Sequence, residues 1–163
     1  MILVINICKE KLHELEFVKP IEEILRKNKK EFFTKRYKEI KESDLEKVDK
    51  IIICGTSLKD NQFLEDTKNF SWIKNFKRPI FGICGGSHIM GLNLGYKLKK
   101  KKEIGLKEIN LEKEFLGING KIQVYHLHGL QVLPEVYHKD NIYATIFHPE
   151  VRNKKMVENF INL

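Results

Sequence analysis

The chain up to Gly95 alternates between short apolar runs and stretches in which apolar residues recur every three to four positions. Strand-length apolar runs lie at 1–8, 50–55 and 79–84, and Phe32 and Phe33 mark one more. Fully apolar runs are typical of strands that are buried on both faces. Helical spacing follows each of them, at 20–26, 43–46, 63–76 and 85–94. This alternation predicts an α/β fold with a mostly parallel sheet and helices on both faces.

The pattern changes after Gly95. Shorter and partly alternating strands are predicted at 97–111, 121–127 and 130–133, with turn signals at Gly117 and Asn119-Gly120. They indicate a small antiparallel extension. A further strand at 142–147 and a closing helix at 151–161 complete the pattern. No repeat and no linker interrupts it, so we expect one domain over residues 1–163.

Composition narrows the class of protein. With 163 residues, 42% hydrophobic and 32% charged, the chain can bury a sizeable core and is not of disordered type. No apolar run approaches the roughly 20 residues of a membrane helix, and the amino terminus is typical of a core strand rather than a signal peptide. The three cysteines form no pairing pattern, which indicates a reducing compartment. We therefore expect a cytoplasmic protein without a membrane partner.

The formal net charge is +8 and is carried mostly by lysine. A solvated surface accounts for such a charge, and attraction to an acidic protein or to RNA is the alternative. Lysine reads bases poorly and no aromatic-basic stripe accompanies it, so we do not expect a nucleic-acid partner. If one exists, the focus of its binding would be the run Lys99, Lys100, Lys101 and Lys102.

The segment at 79–91 carries the first candidate chemistry, because an apolar strand there runs directly into a helix with the sequence PIFGICGGSHIMG. The residue at the apex of so tight a turn is strained, and Gly82 and Gly86 relieve the crowding around it. That residue is Cys84. The helix amino terminus would favour its thiolate, and the N–H of Gly85 could bind an oxyanion. A buried thiol with packing glycines is the alternative interpretation.

A thiol nucleophile needs a base, and the base needs an orienting group. His148 and Glu150 follow the apolar strand at 142–147. Pro149 holds the residue before it in an extended conformation, and extended residues two apart share a face. Glu150 could then accept the imidazole N–H of His148.

Together these segments resemble the class I (triad) glutamine amidotransferases. The resemblance rests on the sequences PIFGICGG and IFHPEV, with Asn159-Phe160-Ile161 in the closing helix. It implies a flavodoxin-like three-layer fold and hydrolysis of glutamine to glutamate and ammonia, without a cofactor. By position it implies that Cys84 is the nucleophile, His148 the general acid/base and Glu150 its orienter.

The resemblance also implies roles for residues at the end of the third predicted strand. Gly55 matches the family's glycine loop and would supply a second oxyanion N–H beside that of Gly85. Thr56, next in sequence, is expected to contact the substrate. Cys54-Gly55-Thr56 stands where the family usually has Gly-Gly-Pro.

Two histidines depart from the family pattern or extend it. His88 stands where the family usually has a substrate-binding Gln, one helical turn after Cys84, and should face the same pocket. His128 lies in a His-Gly motif that resembles both the cobyric acid synthase branch, which makes it a rival base, and the His-Gly-Asp segment of GMP synthase-like amidotransferases. In the latter, Leu130 replaces the Asp, and His128 would lie near the site and contact the substrate without doing the chemistry.

No second catalytic region is recognisable, so ammonia would pass to a separate synthetase or ligase, with a GMP synthase-like partner as one candidate. The alternatives are a γ-glutamyl amide or peptide hydrolase without ammonia transfer and a non-catalytic regulatory module. We expect no metal: the spacing of cysteines and histidines supports no site assembled from Cys54, Cys84, His88, His128 and His148.

Overall fold

The computed structural model describes residues 1–163. Its eight strands are β1 (Ile2–Asn6), β2 (Phe32–Arg36), β3 (Lys50–Ile53), β4 (Ile80–Ile83), β5 (Lys99–Phe115), β6 (Ile118–Gln131), β7 (Val136–Lys139) and β8 (Ile142–Thr145). Its five α-helices are α1 (Lys11–Phe17), α2 (Lys19–Lys27), α3 (Glu42–Glu46), α4 (Gly85–Asn93) and α5 (Lys154–Ile161). None of these helices combines the length and the apolar content that crossing a membrane requires.

Six strands form one sheet in the order β2-β1-β3-β4-β8-β7, and only the edge strand β7 pairs antiparallel. Strands β5 and β6 form a separate antiparallel hairpin. Successive side chains of a strand point to opposite faces, so Val4 joins one hydrophobic cluster while Leu3 and Ile5 join the other. The predicted α/β fold, mostly parallel with a small antiparallel extension, is confirmed.

Helices cover both faces of the sheet. The cluster that contains Val4 packs against α2 and α5, for example through Leu25 and Phe160. The other cluster packs against α4 and against the segment 62–74, through residues such as Ile89 and Phe70. The central strands are therefore buried on both sides, which explains their continuous apolar runs.

The predicted helix at 63–76 is wrong in type. The segment forms two 3-10 helices, Gln62–Leu64 and Thr67–Lys74. Both the N–H and the side-chain amide of Asn69 donate to the carbonyl of Asp66, at 3.0 and 3.2 Å. Polar side chains that bond their own backbone in this way favour tight turns over an α-helix.

The strands after Gly95 are longer than predicted, because 97–133 is one extended hairpin rather than several short strands. Its register shifts between Lys100 and Glu103 and again between Leu111 and Phe115. The first shift is by one residue and reverses the face on which the residues of β5 fall, so the alternation is broken in the sequence although the hairpin is continuous.

Other elements also differ from prediction. Helix α3 begins at Glu42, one residue before the predicted start, because the Asp44 carboxylate accepts the Lys41 N–H at 2.9 Å. Strand β8 ends at Thr145, before Phe147. The edge strand β7 was not predicted, since its half-exposed sequence VYHK shows no apolar run.

Candidate active site

Cys84 occupies a sharp turn between β4 and α4, which are joined by this single residue. Its backbone has φ 48° and ψ −99°, a strained conformation for a residue with a side chain. The turn is held by a hydrogen bond from the Cys84 N–H to the Thr145 carbonyl at 2.8 Å. The Cys84 carbonyl accepts the His88 N–H at 3.1 Å, which begins the helix. The predicted elbow geometry is therefore present, with the thiol at its apex.

The glycines flanking Cys84 are required by close backbone contacts. A Cβ on Gly86 would lie 2.4 Å from the Ile53 carbonyl oxygen of the neighbouring strand. A Cβ on Gly82 would lie 2.7 Å from the Gly86 backbone. Real Cβ atoms do not approach backbone so closely, so α4 can leave the sheet at this angle only if both positions lack a side chain.

His148 and Glu150 form a fully buried pair, in which His148 Nδ1 lies 2.7 Å from Glu150 Oε1. The pairing arises in a turn, not in the extended segment that we predicted. The N–H groups of Val151 and Arg152 both donate to the His148 carbonyl at 3.2 Å, which curls the chain around the imidazole. The His148 N–H donates to the Tyr125 carbonyl at 2.9 Å, so the hairpin also positions it.

Electrostatics favour the charged imidazolium of His148. Burial alone would lower its pKa, but the negative charges of Glu150 and of a Cys84 thiolate outweigh burial and raise the pKa well above the usual value. Because Nδ1 is bound to Glu150, a carboxylate acceptor, Nε2 is the nitrogen left free, and it is buried without a hydrogen-bond partner. An imidazole in this state can hold a thiolate and move a proton at Nε2.

Gly55, at the end of β3, packs directly between the two groups. A Cβ there would lie 2.7 Å from His148 Cε1 and 3.4 Å from Cys84 Cβ. Only a glycine allows the imidazole and the thiol to come this close to the strand end. Neither the Gly55 N–H nor the Gly85 N–H donates to another backbone group, so both are available to a ligand.

A small cavity lies beside the thiol. Four of the residues we predicted at the site line it together with Cys84, namely Thr56, Gly85, His88 and His128. Leu58 and Asn61 also line it, although nothing in their sequence context had pointed to them. Its volume is about 10 Å³, barely enough for one water molecule. Leu127 was missed as well: its carbonyl lies 3.6 Å from Cys84 Sγ.

His88 lies one turn along α4 and faces this cavity, as predicted. Its Nε2 donates to the Leu130 carbonyl at 2.8 Å, while Nδ1 is buried without a partner. Burial lowers the pKa of His88 to about 4, so the ring is neutral at physiological pH. A neutral Nδ1 with a free lone pair can accept a hydrogen bond from a ligand.

His128 has both ring nitrogens engaged elsewhere. Nδ1 lies 3.0 Å from the Lys101 carbonyl, and Nε2 lies 3.0 Å from Nδ1 of His126. Thr56 is also engaged, since its hydroxyl donates to Asp60 at 2.7 Å. Among the histidines, His148 is the one whose pKa is raised by Cys84.

With this geometry in place, comparison with known proteins gives the family. Residues 13–163 match the family described as glutamine amidotransferase class-I. The chain belongs to the class-I glutamine amidotransferases. The predicted family and the predicted class of enzyme, an amide hydrolase of this family, are thereby confirmed.

Relatives of this amidotransferase include parts of two different biosynthetic enzymes. It is 29% identical to the imidazole glycerol phosphate synthase subunit HisH of Pelagibacter ubique, over an alignment that covers 68% of this chain and 74% of that protein. It is also 29% identical to the glutamine-hydrolysing GMP synthase of Thermotoga petrophila, covering 72% of this chain but only 28% of that longer protein.

Solved structures show the same fold. A Thermoplasma acidophilum protein, described as a putative subunit of GMP synthase, superposes with a TM-score of 0.83 at 22% identity, covering 99% of this chain and 92% of that one. A glutamine amidotransferase from Thermotoga maritima gives a TM-score of 0.67 at 20% identity, covering 99% and 80% of the two chains. The flavodoxin-like architecture that we predicted is confirmed by these likenesses.

Proposed function

We propose that this amidotransferase hydrolyses the side-chain amide of glutamine through a triad of Cys84, His148 and Glu150, and passes the ammonia to a separate synthetase. The observation that carries the proposal is the buried His148–Glu150 pair, with its free Nε2, beside a thiol held on a strained turn. The family match supports glutamine as the substrate.

In the first half of the reaction, Cys84 Sγ attacks the amide carbon of glutamine and forms a C–S bond. The N–H groups of Gly55 and Gly85 stabilise the oxyanion that develops. His148 Nε2 gives its proton to the departing nitrogen, and the C–N bond breaks. Ammonia is released, and a γ-glutamyl thioester remains on Cys84. Glu150 holds the imidazole in orientation throughout.

In the second half, neutral His148 takes a proton from a water molecule. The hydroxide adds to the thioester carbonyl, the C–S bond breaks and glutamate leaves. The proton retained on His148 restores the thiolate–imidazolium pair. No redox step and no cofactor is needed for this sequence.

The transfer of ammonia to a partner rests on the relatives. One of them is a subunit of imidazole glycerol phosphate synthase, and this chain spans only 28% of a GMP synthase. Both likenesses support an ammonia-accepting synthetase, with a GMP synthase-like partner as one possibility.

Replacing Cys84 by Ala tests the chemistry. We expect Cys84→Ala to lower glutamine turnover at least about 10³-fold and to abolish labelling by a chloroketone analogue of glutamine, because no other group can form the thioester. Cys54→Ala is the matched control, since burial raises the pKa of the Cys54 thiol well above its usual value and keeps it inert. Unchanged turnover in Cys84→Ala would refute the triad, and an unlabelled wild-type chain would indicate a non-catalytic module.

His88 supports a second candidate, hydrolysis of γ-glutamyl amides or peptides without ammonia transfer. Its imidazole stands in the cavity with a free Nδ1, at the position where the family usually has a glutamine side chain. Comparing kcat/KM for glutamine with that for γ-glutamyl dipeptides separates the two. A preference for the dipeptides would favour this second function.

A further inference from the structure

Three side chains on the hairpin bring metal-ligand atoms together next to the cavity of the proposed site. Glu103 lies on β5, and His126 and His128 lie two residues apart on β6. Both histidines are buried. The candidate ligand atoms, one from each of the three residues, all lie within 4.8 Å of one another. We predicted no metal for this chain, and neither Glu103 nor His126 was among the residues predicted at a site.

The distances match a tetrahedral metal ion. His126 Nδ1 and His128 Nε2 are 3.0 Å apart, and Glu103 Oε2 lies 3.3 Å from His128 Nε2 and 3.8 Å from His126 Nδ1. Ligands at about 2.0–2.1 Å from a tetrahedral zinc ion are separated from one another by about 3.3 Å. The three atoms therefore stand at nearly the spacing of three corners of a zinc tetrahedron, with the fourth corner open for water.

The tautomers of the two histidines favour a cation between them. His128 Nδ1 must donate to the Lys101 carbonyl, so its Nε2 presents a lone pair to His126. His126 Nε2 lies 3.4 Å from the Glu135 carboxylate, and a neutral ring carries its proton either there or at Nδ1, where it would donate to His128 Nε2. A neutral His126 protonated at Nε2 presents a lone pair at Nδ1. Two lone pairs then face each other at 3.0 Å, with the Glu103 carboxylate beside them.

In that tautomer, a cation between these atoms satisfies both lone pairs and the carboxylate. Glu103 Oε2, Glu135 Oε2 and His126 Nε2 are all buried without hydrogen-bond partners. A metal would bind His126 Nδ1, His128 Nε2 and Glu103 Oε2. The Nε2–H of His126 would then point toward Glu135, and a carboxylate in that place commonly orients a metal-bound histidine.

The surrounding charges are compatible with a dication. The Lys101 ammonium lies 3.3 Å from Glu103 Oε2 and 3.6 Å from Glu135 Oε1, where it partly balances the charge of both carboxylates. Its side chain is 44% exposed, so it can swing into solvent as the metal enters. Lys107 also bonds Glu103, through the other carboxylate oxygen, and would leave Oε2 free.

Register explains how the sequence builds this group. Glu103 is directly opposite His128 in the ladder, and His126 follows on the same face of β6 because side chains of a strand alternate. The register shift between Lys100 and Glu103 takes Lys101 out of the regular ladder, and its carbonyl is free to accept His128.

We infer that Glu103, His126 and His128 bind a zinc ion, with Glu135 orienting His126. Two imidazoles, one carboxylate and one water suit Zn²⁺ better than Mg²⁺ or Ca²⁺, which prefer oxygen ligands. The site would clamp β5 to the stretch of β6 that serves the proposed triad. In that stretch the Tyr125 carbonyl accepts the His148 N–H, and the Leu127 carbonyl faces Cys84 Sγ.

Zinc binding by the whole chain tests the inference. The measurement is equilibrium dialysis of the metal-free protein against ZnCl₂, in the Cys84→Ala background so that the thiol cannot compete for metal. We expect one Zn²⁺ per chain, a higher unfolding temperature with zinc, and visible absorption typical of tetrahedral coordination when Co²⁺ replaces it. Absence of stoichiometric binding would overturn the inference.

Variants locate the site. Glu103→Gln and His128→Gln should each weaken zinc binding at least about tenfold. His138→Gln, which changes an exposed histidine on β7, should bind as before. Glu103 is only partly buried, so its variant is expected to fold, and far-UV circular dichroism checks this. Equal zinc affinity in Glu103→Gln and its parent would refute the site. Because glutamine takes no part in the measurement, this result is independent of the proposed glutaminase.

Discussion

At the residue scale, the proposed site depends on one buried carboxylate. Glu150 lies 2.7 Å from His148 Nδ1, and neither side chain is exposed to solvent. Burial disfavours the imidazolium, so its raised pKa depends on the negative charges of Glu150 and Cys84. Removing the charge of Glu150 while keeping its shape should therefore change both the orientation and the protonation of His148.

We expect Glu150→Gln to lower kcat/KM for glutamine by about 10²–10⁴-fold. The pKa of His148 should fall, so the imidazolium is lost at lower pH and the alkaline limb of the pH–rate profile moves to lower pH. The checks are kcat/KM and the rate of Cys84 alkylation, each as a function of pH. Glu158→Gln, on the half-buried face of α5, is the matched control. An alkaline limb at the wild-type pH would contradict this role for Glu150.

At the scale of elements, the angle between β4 and α4 depends on backbone contact. The helix approaches β3 so closely that a Cβ on Gly86 would meet the Ile53 carbonyl oxygen at 2.4 Å and the Ile53 Cβ at 3.0 Å. Neither contact involves the flexible end of a side chain, so the helix must shift to accept a methyl group. Such a shift would also move Cys84, which precedes the helix.

Gly86→Ala should lower the free energy of unfolding by about 1–3 kcal/mol or more, the usual cost of overpacking a core. Urea unfolding measures this, and an unchanged m value would show that the folded and unfolded states keep their compactness. Gly129→Ala is the control for stability, because its added Cβ would contact only Leu58, at an ordinary 3.6 Å. Similar losses in both variants would show that close helix–strand approach is not the cause.

At the scale of the whole molecule, the proposed site is assembled from segments far apart in the chain, and the cavity beside its thiol is small. The ends of β3, β4 and β8 bring Gly55, Cys84 and His148 together at the carboxyl edge of the sheet. The hairpin strand β6 and the segment 56–61 cover them, leaving a cavity of about 10 Å³. Glutamine can enter only if these two covers separate.

Leu58 spans the two covers, so shortening it should ease entry. We expect Leu58→Ala to lower KM for glutamine and to raise the rate of chloroketone labelling by about tenfold, which corresponds to a shift of roughly 1.4 kcal/mol toward the open state. Iodoacetamide, a smaller reagent, should be affected less. Leu12→Ala changes a leucine that is 66% exposed and is the control. Slower chloroketone labelling in Leu58→Ala would refute closure by this residue.

The sequence by itself determined the order of buried strands and helices, the turn at Cys84 and the pairing partners His148 and Glu150. These features are local: apolar runs, flanking glycines and residues two apart leave their pattern in neighbouring positions. Only the tertiary structure decided how distant segments meet. Three features depend on contacts between distant segments, which no single segment encodes: the small cavity lined by Leu58, the pairing of β5 with β6 as one long hairpin, and the meeting of Glu103 with His126 and His128.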